Sequence, residues 1–304
     1  MRGLTYRNVA AHPSANYRRA LLQGGVLASM SMVFGIPSAL AASPRRIVSI
    51  GGALTEIVFA LQGASDLVGV DTTSIFPESA QKLPSVGYAR SLSVEGVLAL
   101  APTQVIATED AGPPFVIRQL QASGIPVAVL AANHRYEGLV ERVKRVGELT
   151  GRATQANALL QTLRQEWERA RIQVSQRDSK PVRVLFVLAH TSNQIMVAGR
   201  ETSAQAMMEY ANASNAVTAI SGYKPLTPES VIAAQPDVVL VTDQGANANG
   251  GLESLLKLPG VAQTPAGRAQ RFISMEAMFL LGFGPRLPVA VSVLDAAIAK
   301  AMRT

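Results

Sequence analysis

The chain has 304 residues, of which 48% are hydrophobic and 16% are charged, so it can bury a sizeable core and intrinsic disorder is excluded. It contains no cysteine, which excludes disulfides, thiolate metal sites and cysteine nucleophiles, and its three histidines are too few for a histidine-rich metal site. The net charge of +7 includes four arginines in the first 41 residues, a stretch without acidic residues. The other 24 basic and 21 acidic residues nearly balance and are scattered, so nucleic-acid binding is not expected.

Residues 1–41 have the pattern of an export signal. Arg18 and Arg19 precede an apolar run that ends at Pro37, and the small residues that follow resemble a signal-peptidase site. The run contains glycine and serine and is at the short limit for a membrane span, so we expect a cleaved signal rather than an anchor. The paired arginines also match a twin-arginine signal, which leaves the export route open.

Beyond residue 43, short β-branched runs alternate with helical stretches. The predicted strands of this first series are residues 47–50, 67–70, 105–107 and 127–130, and the predicted helices between them are residues 54–62, 94–100 and 115–122. This alternation predicts an α/β fold whose mainly parallel sheets are covered on both faces.

A long helical segment then precedes a second β–α series. Residues 136–176 are predicted to be helical, with a break at Gly147 or Gly151, and their second half is rich in strong helix formers. A strand at residues 182–188 begins the second series. This order favours two Rossmann-like lobes and one long rigid helix between them, although a helix packed within a single domain also fits. The predicted segments are an N-terminal lobe at 42–135, a bridge at 136–180 and a C-terminal lobe at 181–304.

An internal repeat supports the two-lobe interpretation. Residues 92–108 align with residues 226–242 at a constant offset of 134, and seven of the 17 positions are identical. Each copy has a Ser or Thr helix cap, a short helix, a proline and a buried strand. Upstream, a Gly-Tyr pair at Tyr88 is matched by one at Tyr223, one residue out of step. Two similar lobes with matching loops predict a ligand cleft between them.

The segment around Tyr88 is the most informative about chemistry. Arg90 follows two residues later, and in extended backbone the two side chains would point to the same side. A phenol needs about 4 kcal/mol to ionise at pH 7, which a guanidinium and a ferric ion both help to supply. The resulting phenolate is a hard ligand for Fe(III). The spacing alone fits a surface tyrosine beside a solvated arginine equally well.

Several stretches resemble the periplasmic haem-binding proteins of bacterial haem ABC importers. These belong to the helix-bridged (class III) substrate-binding proteins, which also carry siderophores and vitamin B12. Residues 47–57 resemble the class III binding proteins in general. The stretches that resemble the haem-binding members of this class are residues 86–96, 196–199, 222–226 and 281–286. The resemblance implies that Tyr88 is the axial ligand of the iron of haem b and that Arg90 hydrogen-bonds the phenolic oxygen.

The same resemblance implies a transport role. The protein is expected to be a periplasmic monomer that receives haem supplied by an outer-membrane receptor. It would then deliver the haem to an ABC importer, a permease dimer with its ATPase, and catalyse no reaction. Signatures of common enzymes such as G-x-S-x-G, the Walker loop and H-E-x-x-H are missing from the sequence, in agreement with a binding protein.

The second lobe supplies further candidate contacts. By pseudo-symmetry, Tyr223 and Lys224 are expected to face the cleft, where Lys224 would pair with a haem propionate. The other candidates are His190, which follows a predicted strand, and the arginines Arg200 and Arg286, which are alternative propionate partners. An isolated histidine is more often structural, and either arginine also fits an ordinary surface charge.

Glu95 and Glu229 occupy equivalent positions in the two repeats, each near the start of a helix. The helix dipole favours a carboxylate at this position, so the two glutamates can be explained without any binding partner. The resemblance implies that they dock the protein onto its permease through arginine clusters.

Two alternatives remain open at this point. The same fold could hold a ferric siderophore or a corrinoid in the cleft. An extracytoplasmic hydrolase or haem-degrading enzyme would need a nucleophile, an acid–base pair or an oxygen-activating pocket, and the sequence indicates none of these.

Overall fold

The structure is a computed structural model that describes residues 44–177, 180–190, 195–247 and 250–303. The predicted export signal at residues 1–41 lies outside these residues, so it remains a prediction. Within the described ranges, no helix has the length and hydropathy needed to cross a bilayer.

A four-stranded parallel sheet forms the first lobe, in the order β2-β1-β3-β4. Its strands are β1 Ile47–Ile50, β2 Leu67–Val70, β3 Gln104–Thr108 and β4 Val127–Leu130. Its α-helices are α1 Gly52–Ala60, α2 Val94–Leu98 and α3 Pro114–Ala122, with 3₁₀ turns at Ala64–Asp66 and Glu78–Lys82. All four residues of β1 are buried, as expected for a central parallel strand with both faces covered.

Two helices connect the lobes, α4 Tyr136–Leu149 and α5 Ala153–Ser175. Gly147 lies within α4, so the predicted break falls at Gly151, whose φ of +67° suits glycine at a helix end. The 23 residues of α5 span about 35 Å at the usual rise of 1.5 Å per residue. The long helix predicted from composition is therefore present.

The second lobe contains a six-stranded sheet with the path β10-β9-β5-β6-β8, in which β7 also pairs with β5. Its strands are β5 Val182–His190, β6 Ile195–Ala198, β7 Ala213–Asn215, β8 Tyr223–Leu226, β9 Val238–Thr242 and β10 Phe272–Met275. Its helices are α6 Ser203–Tyr210, α7 Pro228–Ala234, α8 Asp243–Asn247, α9 Pro265–Arg268, α10 Ala277–Leu281 and α11 Leu287–Ala301, with 3₁₀ turns at Leu252–Lys257 and Val261–Gln263.

This second sheet is mixed rather than wholly parallel. Strand β6 runs antiparallel to β5, and β8 runs antiparallel to β6. Only four residues separate β5 from β6, which is too few for the crossover that parallel neighbours need. The two-lobe α/β fold is confirmed, with this antiparallel edge as an addition.

The internal repeat is present in three dimensions. Strands β3 and β9 have the same bounds once shifted by 134 residues. Helix α2 is capped by Ser93, whose hydroxyl accepts from the Gly96 N–H, and α7 is capped in the same way by Thr227 from Ser230. Each lobe therefore repeats one cap–helix–strand unit, with its strand ending at the same edge of its sheet.

A single cluster of buried apolar side chains extends through both lobes and the connecting helices. It contains Ile47 and Ile106 from the first sheet, Trp167 from α5, and Val184 and Phe186 from the second sheet. The two lobes thus share an interior.

Candidate ligand site

Tyr88 lies in the loop between β2 and α2. The loop is paired with β2 where the Val86 N–H donates to the Val70 carbonyl over 2.9 Å. Gly87 has a φ of +91°, a conformation that favours glycine. The Tyr88 side chain is 44% exposed, so this glycine turn presents the phenol to solvent.

Arg90 contacts Tyr88 directly, as predicted, although the local geometry differs from the prediction. The Arg90 Nη1 donates to the Tyr88 Oη over 2.9 Å. The backbone between them is a turn closed by the Ser91 N–H on the Tyr88 carbonyl, at 2.8 Å, rather than extended chain. The turn therefore brings the guanidinium to the phenolic oxygen.

Asp110 holds the other side of the same guanidinium. Its Oδ2 accepts from Arg90 Nε at 2.9 Å and from Arg90 Nη2 at 2.5 Å. Burial opposes the ionisation of Asp110, but hydrogen bonds from Thr108 and Arg90 and the Arg90 charge outweigh it and lower the pKa of Asp110. Burial also opposes the Arg90 charge, but Asp110 and then Tyr88 raise the pKa of Arg90 overall. Both groups are therefore charged at neutral pH.

Tyr223 begins β8 and is the phenol of the second lobe. Its Oη lies 3.1 Å from the Ser203 Oγ, and its ring packs edge-on against Phe186. Burial is the largest cause that raises the pKa of Tyr223, while the charge of Arg90 acts in the opposite direction. Tyr88 belongs to the first lobe and Tyr223 to the second.

Lys224 is not brought beside Tyr223. Both lie in β8, where Tyr223 pairs with Ala198 and Lys224 with Val197. Neighbouring residues of a strand point to opposite faces, so the exposed Lys224 is on the other face of the sheet. Lys224 is therefore directed away from the side of the sheet that Tyr223 occupies.

Arg286 is fully engaged within the protein. It donates to Glu56 over 3.0 Å from Nε and 2.5 Å from Nη2, and it lies 3.4 Å from Glu276. The guanidinium is also placed over the rings of Phe76 and Phe279, at 4.1 and 5.1 Å from their centroids. These contacts argue against the expected role of Arg286 as a propionate partner.

A cavity of about 490 Å³ lies between the lobes. Its lining residues come from the ends of β3 and β4 and from the start of α6: Glu109, Asn133, His134, Arg135, Arg200, Glu201, Thr202, Gln205, Ala206 and Glu209. The exposed Arg200 forms no ion pair among the described residues, so its charge is available to a ligand here. His190 is placed only through its backbone, which ends β5 opposite Ile195.

His134 was not predicted as a site residue. Its Nδ1 is buried without a hydrogen-bond partner among the described residues, and its ring lies 5.5 Å from that of Phe283. Burial, followed by the charge of Arg142, lowers the pKa of His134, so its imidazole is neutral at pH 7. Asp110 and His134 both follow parallel strands of the first sheet. Ligands commonly bind at the edge where such strands end, so the sequence could have indicated both residues by this rule.

Glu95 and Glu229 are exposed second residues of α2 and α7. A hydrogen bond from its own backbone N–H and one from Ser93 lower the pKa of Glu95. The equivalent bonds, with Thr227 in place of Ser93, lower the pKa of Glu229. The repeat thus displays one carboxylate on each lobe in the same local environment.

Comparison with known proteins agrees with this architecture. The family model described as periplasmic binding protein matches residues 47–278. The periplasmic heme-binding protein BhuT, in complex with two hemes, is 46% identical with a TM-score of 0.82, over 85% of this chain and 99% of BhuT. The periplasmic heme-binding protein RhuT from Roseiflexus sp. RS-1, in apo form, is 40% identical with a TM-score of 0.81, over 84% of this chain and 98% of RhuT.

A more distant relative is the cobalamin-binding protein of Halobacterium salinarum, which is 28% identical over 82% of this chain and 68% of its own length. The family match covers well over half of the chain and includes both sheets. The chain therefore belongs to the periplasmic binding protein family.

Proposed function

We propose that this protein binds haem in the cleft between its lobes and delivers it to an ABC importer in the inner membrane. The observation that carries the proposal is the exposed Tyr88 phenol, held in contact with the Arg90 guanidinium. The relatives with 40% identity or more over nearly their whole length are haem-binding proteins, which supports the same ligand here. The family consists of binding components of transporters, so no reaction is assigned to the site.

The chemistry of the phenol suits ferric haem. Ionising a tyrosine at pH 7 requires about 4 kcal/mol, because its ordinary pKa is near 10. Arg90 Nη1 donates to the phenolic oxygen, which is the atom that would bind the ferric iron. We infer that Tyr88 is the axial ligand of haem b and that Arg90 supports its ionised form.

Residues of the second lobe complete the proposed site. We propose that Tyr223 offers its ring to the macrocycle. Arg200 lines the cavity and forms no ion pair among the described residues, so we propose that it pairs with a propionate. His190, at the end of β5, remains a candidate contact from its position alone. Lys224 is the weakest of these candidates, because its strand directs it to the other face of the sheet.

A haemin titration of variants tests the iron ligand. Tyr88→Phe removes only the phenolic oxygen, so the variant should lose the ferric–tyrosinate absorption. Loss of a residue that only supports a metal ligand weakens binding by about 10–100-fold, and we expect a larger loss of haemin affinity here. Tyr223→Phe is the matched control and should retain the absorption. An unchanged titration of Tyr88→Phe would remove Tyr88 from the site.

A corrinoid or a ferric siderophore is the alternative cargo. The relationship to a cobalamin-binding protein is more distant than that to the haem-binding proteins, which makes this alternative less favoured. Competition separates the two ligands: cyanocobalamin or a ferric siderophore in excess should leave haemin bound. Displacement of haemin by either compound would favour the alternative.

We further propose a periplasmic setting. Residues 1–41 would export the chain by the Sec or twin-arginine route, and the mature protein would act as a monomer that receives haem supplied by an outer-membrane receptor. The proposed permease contacts are Glu95 and Glu229, one on each lobe. We keep residues 42–135, 136–180 and 181–304 as the proposed N-terminal lobe, bridge and C-terminal lobe.

A further inference from the structure

Tyr88 and Tyr223 are related by the internal repeat, yet their surroundings differ. Each follows a glycine with positive φ, +91° at Gly87 and +74° at Gly222. Each of these loops is also joined by a single bridge to a neighbouring segment of its lobe. The backbone thus presents two similar phenols, and only the side chains around them distinguish one from the other.

Among the described residues, the first lobe has a chain of three polar groups, Tyr88, Arg90 and Asp110, that has no counterpart in the second lobe. Two residues after Tyr88 comes Arg90, whereas two residues after Tyr223 comes Pro225, which has no donor to offer. Asp110 lies two residues beyond β3, and the residue at the same point beyond β9 is Gln244. The Gln244 side chain is used elsewhere, since its Oε1 accepts from the Ala277 N–H at 3.3 Å.

Asp110 restrains a guanidinium that would otherwise be free. The Arg90 side chain is 61% exposed, and a long exposed arginine has many accessible rotamers. Asp110 binds Nε and Nη2, and this leaves Nη1 directed at the Tyr88 oxygen. The loops are also joined through their backbones, because the Gly112 N–H donates to the Ala89 carbonyl and the Leu92 N–H to the Gly112 carbonyl, both at 2.8 Å.

We propose that Asp110 is a positioning residue that, through Arg90, fixes the hydrogen bond to the Tyr88 oxygen and so makes Tyr88 rather than Tyr223 the tyrosine that binds iron. This inference rests on the proposed haem-binding function. The carboxylate itself repels a phenolate, but both groups are near solvent, where water screens that repulsion. The hydrogen bond from Arg90 acts at contact and is strengthened by charge, so fixing its direction is the larger effect.

The surroundings of the half-buried Tyr223 support this asymmetry. Its phenol contacts Ser203 and Phe186, and no guanidinium among the described residues donates to it. Burial is the largest cause that raises its pKa. A neutral phenol is a poor ligand for ferric iron. Tyr223 is therefore the less suitable of the two tyrosines for binding iron.

Variants of Asp110 test the positioning role through haemin affinity and the ferric–tyrosinate absorption. Asp110→Ala should weaken haemin binding by about 10-fold, the lower end of the range for groups that orient a metal ligand. Asp110→Asn keeps an oxygen acceptor for Arg90 and should restore most of that loss. Gln244→Ala, which removes the side chain at the equivalent place in the second lobe, should leave both readouts at the wild-type level.

A double-mutant cycle shows whether Asp110 acts through Arg90. In an Arg90→Ala background, Asp110→Ala should cause no further loss, and it should recover part of the affinity because it removes a negative charge beside the phenolate. Wild-type haemin affinity and absorption in Asp110→Ala would overturn the inference, and so would an equal loss in the presence and absence of Arg90.

The same measurements separate this inference from the proposed function. If the wild-type protein fails to bind haemin, the proposed function itself is wrong. If the wild-type protein binds haemin and Tyr88→Phe does not, while Asp110→Ala behaves as wild type, only the positioning role is lost. Urea unfolding of each variant verifies that a loss of affinity does not arise from a loss of folded protein.

Discussion

Two arginines, Arg90 and Arg286, show how surroundings decide the use of one residue type. Arg90 is exposed, pairs with Asp110 and keeps one nitrogen for the Tyr88 oxygen. Arg286 is mostly buried and gives two nitrogens to Glu56 while it lies over two aromatic rings. The first arginine acts on the proposed ligand, and the second joins α1 of the first lobe to the segment before α11.

We expect Arg286→Met to destabilise the protein by about 3 kcal/mol, because it leaves the Glu56 carboxylate buried without its partner. Burial already raises the pKa of Glu56, and removing Arg286 would raise it further. When the pKa of a carboxyl is higher in the folded state than in the unfolded state, the folded state binds the proton more tightly. The folded protein then loses stability as the pH rises above the ordinary glutamate pKa of about 4.3. The loss should therefore be smaller at pH 4 than at pH 7.

Urea unfolding at both pH values measures this effect. Arg118→Met is the control, since Arg118 is exposed and forms no ion pair among the described residues. Equal stabilities of Arg286→Met and Arg118→Met would show that the Glu56 contact contributes little.

At the residue scale, the sequence identified groups that are close along the chain. Tyr88 and Arg90 are two residues apart, and their contact was predicted. Asp110 is 20 residues from Arg90, and Glu56 is 230 residues from Arg286, so only the folded chain brings these pairs together. For this reason Asp110 was missed and Arg286 was assigned to a ligand.

At the scale of elements, helices α4 and α5 are fixed to the second lobe by an aromatic group. The Trp167 ring stacks on Tyr136 at 4.8 Å and meets the edge of Tyr210 at 4.7 Å between ring centroids. The Tyr210 hydroxyl also accepts from the Tyr136 N–H at 3.0 Å. The first turn of α4, the middle of α5 and the end of α6 therefore meet at one point.

Trp167→Ala is expected to cost about 3–5 kcal/mol of stability, because it removes a buried aromatic side chain and leaves a cavity. This loss is measured as the change in the free energy of unfolding, with unfolding followed by circular dichroism. Ile172→Ala on the same helix is the matched control, since that side chain is 55% exposed and should cost much less. Similar losses of stability in both variants would contradict a special role of the Trp167 contacts in holding the helices together.

The order of elements was largely predictable, because β-branched runs and helix formers alternate along the chain. The antiparallel edge formed by β6 and β8 was not predicted. These strands have four residues each, and pairing between strands depends on the fold around them rather than on their own composition.

At the scale of the whole molecule, contacts between the lobes favour small movements on binding. Besides the Arg286–Glu56 pair, buried Arg142 of α4 donates from Nη2 to the Phe283 carbonyl over 2.6 Å. A shared apolar cluster and two connecting helices also oppose a wide hinge motion. Release of the ligand would then require the permease to separate the lobes.

X-ray scattering of the apo and haem-loaded protein tests this rigidity. We expect the two profiles to superimpose, because opening the lobes would expose buried apolar side chains. A marked compaction on loading would contradict it and indicate wide closure.

Docking on the permease is expected to depend on both lobes. Glu95→Lys and Glu229→Lys should each slow haem transfer to the importer in proteoliposomes severalfold, whereas Glu78→Lys, an exposed glutamate elsewhere on the first lobe, should not. The pKa of each docking glutamate is lowered, so each stays ionised below the usual glutamate range. Transfer should therefore be as fast at pH 5 as at pH 7, and a loss at pH 5 would argue against these carboxylates.

The interior that the two sheets hold in common bears on how a duplicated chain of this kind can arise. Leu139 and Val146 of α4 and Leu163 of α5 are buried within this shared interior. One lobe on its own would therefore expose a broad apolar surface to water. An ancestor with a single copy of the unit would have needed a twin molecule to cover that surface. Gene fusion would then have made a permanent partnership out of a dimer, and left one phenol free to specialise.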